Sequence, residues 1–143
     1  MDLDSYTAGY NRAYAVVNIE AVRRNILKSR EFLPENTGII AVIKTDAYGH
    51  GAAKVADAVK DITAGFAVAT IDEAVELREA GITSHIIVLG YISPREYAAA
   101  IEHDIILSMF DYKQACALSE LAGAMGKCGR CHIKIDTGMN RIG

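Results

Sequence analysis

The sequence predicts an α/β protein of the (β/α)8-barrel (TIM-barrel) type that is incomplete, with about five of the eight β/α units present. Five apolar runs suited to buried parallel strands begin at residues 38, 65, 85, 105 and 130, so they recur every 20 to 27 residues. Residues with helical spacing fill the intervals, and each interval leaves room for one helix and two small loops. A flavodoxin-like sheet has the same rhythm and stays open as an alternative.

The strand candidates are short and apolar. In chain order they are GIIAVIK (38–44), GFAVA (65–69), HIIVL (85–89), IILSM (105–109) and RCHIKI (130–135). The earlier run YAVVNI (14–19) is predicted to be a strand as well. A full barrel takes roughly 250 residues, so we expect these 143 residues to be a truncated barrel.

The helix candidates have specific start signals. Thr70 with Glu73, and Ser93 with Glu96, each fit a capping box in which side chains satisfy free backbone N–H groups. Pro94 suits the first helical position after Ser93. The charged residues of the helix that follows Thr70 are predicted to form a solvated face, and these are Asp72, Glu73, Glu76, Arg78 and Glu79.

Composition limits the function classes. Hydrophobic residues make up 51% of the chain, charged residues 23%, and the formal net charge is -3. The charges form no long blocks and no apolar run is long enough for a membrane span, so neither nucleic acid nor a membrane is a predicted partner. Three cysteines and the lack of an apolar N-terminal signal favour a cytoplasmic location. The pair in CGRC, Cys128 and Cys131, has no second cluster, so we predict no metal site and a Cys131 packed on a helix.

Lys44 ends the apolar part of AVIKTDAYGHG, residues 41–51. Side chains alternate along a strand, so Lys44 shares a face with Ile40 and Val42. If the other face packs on helices, Lys44 points into the barrel interior at the carboxyl end of its strand, where barrel enzymes place their chemistry. The alternative is a solvated lysine that merely ends the strand.

The run RCHIKI and the aspartate after it have one apolar and one polar face, and the polar face comprises His132, Lys134 and Asp136. Burying such groups is unfavourable unless they are paired. The pattern therefore favours a barrel mouth where polar partners or a ligand meet these side chains. An edge strand that faces water is the other interpretation.

The segment after Lys44 also suits a ligand. Gly49 and Gly51 allow close approach of the backbone, and the next helix N-terminus offers free amides to an anion such as phosphate. The Tyr48 hydroxyl adds a donor. An ordinary turn between strand and helix, with a packed tyrosine, is the competing explanation.

AVIKTDAYGHG resembles the cofactor-attachment segment of the alanine racemase family, and IKIDTGMNRIG (133–143) resembles a second signature of that family. The order of strands and helices between them also agrees, from about Tyr14 onward. The resemblance implies an N-terminal barrel that carries pyridoxal 5'-phosphate, a C-terminal β-rich domain and a homodimer. It makes residues 1–143 the N-terminal part of the barrel domain, with the C-terminal domain absent.

The resemblance also implies roles for five residues. Lys44 forms the Schiff base with the cofactor and is one of two catalytic bases, and Tyr48 bonds the cofactor phosphate. Arg141 lies near the cofactor's phenolic oxygen and the substrate carboxylate, and the backbone of Met139 lies at the substrate site. Lys134 matches a lysine that is often carbamylated and paired with the arginine. The second base in the family is a tyrosine from the partner subunit's C-terminal domain.

The sequence departs from the family pattern at three positions. Thr45 and Asp46 replace a common Ala-Asn, and Asn140 stands where glycine is frequent. These positions flank the motif residues, so we expect them to affect the preference for alanine or serine more than the chemistry.

The implied activity is the interconversion of L- and D-alanine, or of serine, with D-alanine supplied for cell-wall peptidoglycan in the parent protein. A barrel-type amino-acid decarboxylase shares a lysine after a strand, but AYGHG favours the racemases. A single-domain pyridoxal-phosphate homeostasis protein and an inactive structural fragment stay open as alternatives. We expect residues 1–143 alone not to racemise, because only the Lys44 face of the substrate is served.

Overall fold

A parallel sheet of five strands organises the chain. The structure is a computed structural model and describes residues 13–143. The strands are β1 (Ile40–Val42), β2 (Gly65–Val68), β3 (His85–Val88), β4 (Ile106–Met109) and β5 (Arg130–Ile133). Their order in the sheet follows their order in the chain, and every pair is parallel. This order excludes the flavodoxin-like alternative, whose strands run 2-1-3-4-5, and confirms the incomplete barrel.

Helices connect the strands. In the described residues they are α1 (Ile19–Arg30), α2 (Ala52–Val59), α3 (Ile71–Glu79), α4 (Tyr97–Glu102) and α5 (Tyr112–Ala124), with a 3-10 turn (Pro94–Glu96) before α4. The capping box predicted at this turn is confirmed, because Glu96 Oε2 accepts a hydrogen bond from Ser93 N at 3.1 Å while the Ser93 side chain caps the turn. The start signal read from the sequence therefore fixes where this element begins.

The core lies between the sheet and the helices. Phe66, Val68, Ile86, Val88 and Leu107 alternate along β2, β3 and β4 and are fully or almost fully buried in it. The opposite side of the sheet is here called the inner face. It carries the side chains that alternate with the core residues, which include Ile40, Val42, Ala67, Ile87, Ile106 and Ser108.

The strand predicted at YAVVNI (14–19) is wrong. Residues 13–18 belong to no strand or helix, and Ile19 already begins α1. Asn18 Oδ1 accepts a hydrogen bond from Ala21 N at 3.0 Å, which caps the helix. The cap signal of Asn18 thus outweighs the β propensity of the apolar run before it.

Arg78 joins the end of α3 to the segments that precede β3 and β4. Its Nη1 donates to Ile82 O and Ser84 O, both at 2.7 Å. Its Nε donates to His103 O and its Nη2 to Asp104 O, both at 2.9 Å. We call these four bonds the Arg78 clamp. The clamp lies at the amino ends of the strands, opposite the end that carries Lys44.

Cys131 is exposed, so its predicted packing on a helix is wrong. The reason is that α5 packs against β4 and leaves the outer side of β5 open. Within residues 13–143 no cluster of three or more histidine, cysteine or acidic side chains is placed to hold a metal ion. The same part of the chain has no helix with the length and apolar character needed to cross a membrane.

Candidate active site

Lys44 lies where β1 ends. Ile43 still pairs with the sheet through a 2.9 Å bond from its N–H to Ala67 O, and its side chain is buried in the core. The half-buried Lys44 follows directly, at the carboxyl end of β1. Among the described residues Lys44 Nζ has no hydrogen-bond or ion-pair partner. Lys28 and Lys60, by contrast, are each paired with a carboxylate.

The backbone after Lys44 forms a left-handed helical turn, Lys44–Gly49. Four consecutive residues that are not glycine have φ between 52° and 55°, and they are Thr45, Asp46, Ala47 and Tyr48. Each such residue costs roughly 1–2 kcal/mol relative to the right-handed conformation. Backbone strain of this kind persists where the surroundings fix it, and it concentrates at functional sites. Tyr48 is 60% exposed, so the competing explanation of an ordinary turn with a packed tyrosine does not hold.

Asp46 occupies the N-terminus of α2. Its Oδ1 accepts a hydrogen bond from Ala52 N at 2.6 Å, and its main-chain oxygen accepts one from Gly51 N at 3.0 Å. The prediction that this helix end offers free amides to phosphate is therefore wrong at Ala52, because a carboxylate of the chain already binds there. Asparagine, common at this position in the family signature, presents an equivalent acceptor oxygen.

Glu73 connects the left-handed turn to the end of β2. Its Oε1 accepts from Thr45 N and its Oε2 from Ala69 N, both at 2.7 Å. The capping box predicted at Thr70 is half formed, since Thr70 Oγ1 accepts from Glu73 N at 3.3 Å while the carboxylate bonds elsewhere. The predicted solvated face is wrong for Glu73 and Arg78. It holds for three exposed residues, Asp72, Glu76 and Glu79.

The second motif begins on β5, at the edge of the sheet opposite β1. A groove of roughly 390 Å³ lies along the inner face between the two edges. Ile40 and Val42 line it at the β1 side, and Ser108, His132 and Lys134 line it at the β5 side. Strand β5 is thus an edge strand whose polar face also meets a groove. Both motifs lie at the carboxyl ends of their strands.

Asp136 organises the loop after β5. Its Oδ1 accepts from Gly138 N at 2.9 Å and from Asn140 N at 3.1 Å. Asn140 has a φ of 55°, a left-handed conformation that glycine and asparagine adopt more readily than other residues. This explains why asparagine replaces the glycine that is frequent here.

Asp136 is expected to titrate below 3.8. Hydrogen bonds from the Gly138 and Asn140 amides lower its pKa from that ordinary value. A lowered pKa means that these bonds stabilise the loop above the unfolded-state pKa and are lost as the pH falls through the folded-state value. NMR titration of the Asp136 carboxyl carbon measures this pKa. The chemical shift of the Gly138 amide should change with the same midpoint, and in Asp136→Asn this pH dependence should disappear. A midpoint at or above 3.8 would contradict the prediction.

The remaining predicted site residues lie in or beside this loop. Met139 is 66% exposed and Arg141 is exposed. Lys134 is half-buried, and its Nζ donates to Ile135 O at 2.8 Å. In the described residues no hydrogen bond or ion pair joins Lys134 to Arg141, or Lys44 to either of them. The structure therefore brings the two motifs to the same end of the sheet without a hydrogen bond or ion pair between these three residues.

Comparison with known proteins decides the family. A family model described as alanine racemase, N-terminal domain, matches residues 17–143. The chain belongs to the alanine racemase family. The resemblance predicted from the two motifs is thereby confirmed.

Individual members of the alanine racemase family agree with this placement. The alanine racemase of Desulforamulus reducens is 41% identical over 131 residues, which cover 91% of this chain and 35% of that protein. The structure of an alanine racemase from Clostridium difficile 630 matches with a TM-score of 0.86 and 38% identity, over 89% of this chain and 34% of that one. A histidine racemase from Leuconostoc mesenteroides matches with a TM-score of 0.81 and 31% identity, over 89% and 34%. The chain thus spans about a third of the length of these relatives.

The alanine racemase family implies pyridoxal 5'-phosphate, and the Lys44 site fits such a cofactor. The cofactor's aldehyde reacts with a nucleophilic amine, and an ion pair with a carboxylate would keep a lysine amine protonated. Within the described residues Lys44 Nζ has no carboxylate partner. The Tyr48 side chain, four residues further on, is exposed and offers a hydroxyl donor. The donor set therefore suits both ends of the cofactor.

Proposed function

We propose that residues 1–143 are the N-terminal part of the pyridoxal-phosphate barrel domain of an amino-acid racemase that interconverts L- and D-alanine. The observation that carries this proposal is the half-buried Lys44 at the carboxyl end of β1, whose Nζ has no partner among residues 13–143. Similarity to alanine racemases favours alanine as the substrate. Serine is the second candidate substrate, and the similar histidine racemase makes histidine worth measuring.

Lys44 is the residue that acts on the substrate. When bound, pyridoxal phosphate supplies an electron sink that acidifies the α-hydrogen of an amino acid. Lys44 would hold the cofactor through Nζ and would transfer a proton on one face of the substrate α-carbon. Its place at the carboxyl end of a barrel strand is the position that barrel enzymes use for chemistry.

The other predicted residues bind and orient. Tyr48 would donate a hydrogen bond to the cofactor phosphate, and Arg141 would bind the substrate carboxylate and lie near the cofactor's phenolic oxygen. The backbone of Met139 lines the substrate site. Lys134, as a carbamate, carries a negative charge that pairs with Arg141 instead of repelling it. All four lie at the same end of the sheet as Lys44 or in the loops that leave it.

The whole protein is proposed to be a cytoplasmic homodimer that supplies D-alanine for peptidoglycan. Racemisation needs proton transfer on both faces of the α-carbon. Lys44 serves one face, and the partner subunit's C-terminal domain is proposed to serve the other.

A racemisation assay tests this function. Residues 1–143 are assayed alone and joined to the remaining two thirds of the Desulforamulus reducens alanine racemase, with pyridoxal phosphate and L-alanine, L-serine or L-histidine. We expect the joined protein to form D-alanine fastest, the chain alone to form none, and Lys44→Ala to inactivate the joined protein. Racemisation by residues 1–143 alone at the joined protein's rate would show that both faces are served from within this chain.

Tyr48→Phe is expected to weaken cofactor binding by about 1 kcal/mol, roughly fivefold in Kd, because it removes one hydrogen bond and leaves the covalent attachment intact. Titration with pyridoxal phosphate followed by absorbance measures the change. Tyr112→Phe is the matched control, since Tyr112 is 83% exposed on α5 and has no proposed role. Equal affinities for Tyr48→Phe and wild type would remove Tyr48 from the site.

A further inference from the structure

We propose that Glu73 is a positioning residue that holds the Lys44 segment in the conformation needed for covalent attachment of the cofactor. The inference rests on the proposed role of Lys44. It assigns a function to a side chain on α3 that the two family motifs do not include. Glu73 acts through the backbone and touches neither cofactor nor substrate.

The geometry of the Glu73 carboxylate is that of a bridge. Its two oxygens bind one amide each, Thr45 N and Ala69 N, both at 2.7 Å. Thr45 directly follows Lys44, and Ala69 directly follows β2. Bonds from backbone N–H to an ionised carboxylate are short and stronger than neutral ones. One carboxylate therefore fixes the residue after the lysine to the neighbouring strand.

Comparison with Glu96 shows that this arrangement differs from ordinary capping. Both glutamates are the third residue after a hydroxyl cap, Thr70 or Ser93. Glu96 returns to Ser93 N at 3.1 Å and closes a regular capping box. The Glu73 carboxylate instead makes no bond to the amide of its cap residue Thr70, and it binds the amide of Thr45, 28 positions earlier in the chain. The start of α3 keeps the Thr70 bond, so the carboxylate is free for the bridge.

The left-handed turn explains why the bridge is needed. Thr45 is the first of the four residues with left-handed backbone conformation. Its side chain is β-branched, and β-branched residues disfavour this conformation. The turn's later amides find acceptors within the segment, as Ala47 N bonds Ile43 O and His50 N bonds Ala47 O. The Thr45 amide bonds Glu73. Loss of the bridge lets Thr45 relax toward the right-handed conformation and changes the direction of the Lys44 side chain.

The test measures how fast pyridoxal phosphate attaches to Lys44, by borohydride reduction at successive times and peptide mapping. Glu73→Gln keeps the shape but offers one acceptor oxygen, and Glu73→Asp keeps the charge but is one methylene shorter. We expect both to slow labelling at Lys44 by about tenfold while labelling of surface lysines is unchanged. Glu79→Gln, an exposed residue of the same helix, is the control with the same charge change and should label like wild type.

Hydrogen exchange supplies a readout without the cofactor. In the wild type the Thr45 amide should be protected to the same degree as the Ala69 amide, and in both Glu73 variants the Thr45 amide should lose protection while core amides of β2 keep theirs. Unchanged labelling at Lys44 in folded Glu73 variants, or an unprotected Thr45 amide in the wild type, would overturn the role proposed for Glu73 and leave that of Lys44 standing. Wild-type labelling spread over surface lysines overturns the proposed function of Lys44 itself, which is a different result.

Discussion

Replacing Lys44 by alanine is expected to abolish specific attachment of pyridoxal phosphate. In the wild type, incubation with the cofactor, borohydride reduction and peptide mapping should place the adduct on Lys44, because this amine is half-buried and has no partner among the described residues. In Lys44→Ala the adduct at this position disappears. Racemisation by the joined protein should fall at least about a hundredfold, the usual effect of removing a catalytic base.

Two further variants make the Lys44 result specific. Lys44→Arg keeps the charge and the length but forms no covalent adduct, so it should behave like Lys44→Ala. Lys113→Ala removes a lysine from an exposed position on α5 and should label like wild type. Retained single-site labelling in Lys44→Ala would place the attachment at another lysine.

Replacing Arg78 by alanine is expected to lower the free energy of unfolding by about 2 to 4 kcal/mol. The substitution leaves four backbone carbonyls of the Arg78 clamp without their donor. Three of these bonds, to Ile82, Ser84 and His103, are partly buried, so losing a charged donor there is costly. Burial lowers the pKa of the Arg78 guanidinium from its ordinary value, and Asp104 opposes that shift. Urea denaturation followed by circular dichroism measures the change.

The controls separate the Arg78 clamp from charge. Arg78→Lys keeps the charge but loses the planar set of donors, so it should fall between alanine and wild type. Arg24→Ala removes an exposed arginine of α1 and should change stability by less than about 0.5 kcal/mol. An Arg78→Ala protein as stable as the Arg24→Ala protein would show that the clamp contributes nothing.

The sequence predicted the fold well because strand spacing and apolar periodicity are local signals. All five strands lie within their predicted runs, and Lys44 follows the end of β1 as the apolar run indicated. YAVVNI was misread because an apolar run beside an asparagine cap gives two local signals of similar strength. The burial of Cys131 was predicted wrongly, because the exposure of a side chain on an edge strand depends on which helix covers that strand, and this is not a local signal.

Glu73 and Arg78 were missed for a different physical reason. Their partners lie up to 28 residues away, and a charged residue on a helix gives no sign of which distant backbone group it will bind. The left-handed turn was missed as well, because Thr45 to Tyr48 contain no glycine to announce positive φ. For Arg78 the sequence did contain one hint, because an arginine in the last turn of a helix often donates hydrogen bonds to nearby backbone carbonyls.

The sequential strand order also has a consequence for how the chain folds during synthesis. Every strand pairing joins residues 19 to 25 positions apart, with Ile87 and Ile106 the shortest separation and Ile40 and Gly65 the longest. At roughly 5 to 20 residues per second of translation, each strand meets its partner about 1 to 5 seconds after that partner was made. Contacts of such uniform and moderate range keep loop-closure costs small. The sheet can therefore grow strand by strand as the polypeptide leaves the ribosome, and both partners of the bridge between Glu73 and Thr45 have been synthesised once the second unit is complete.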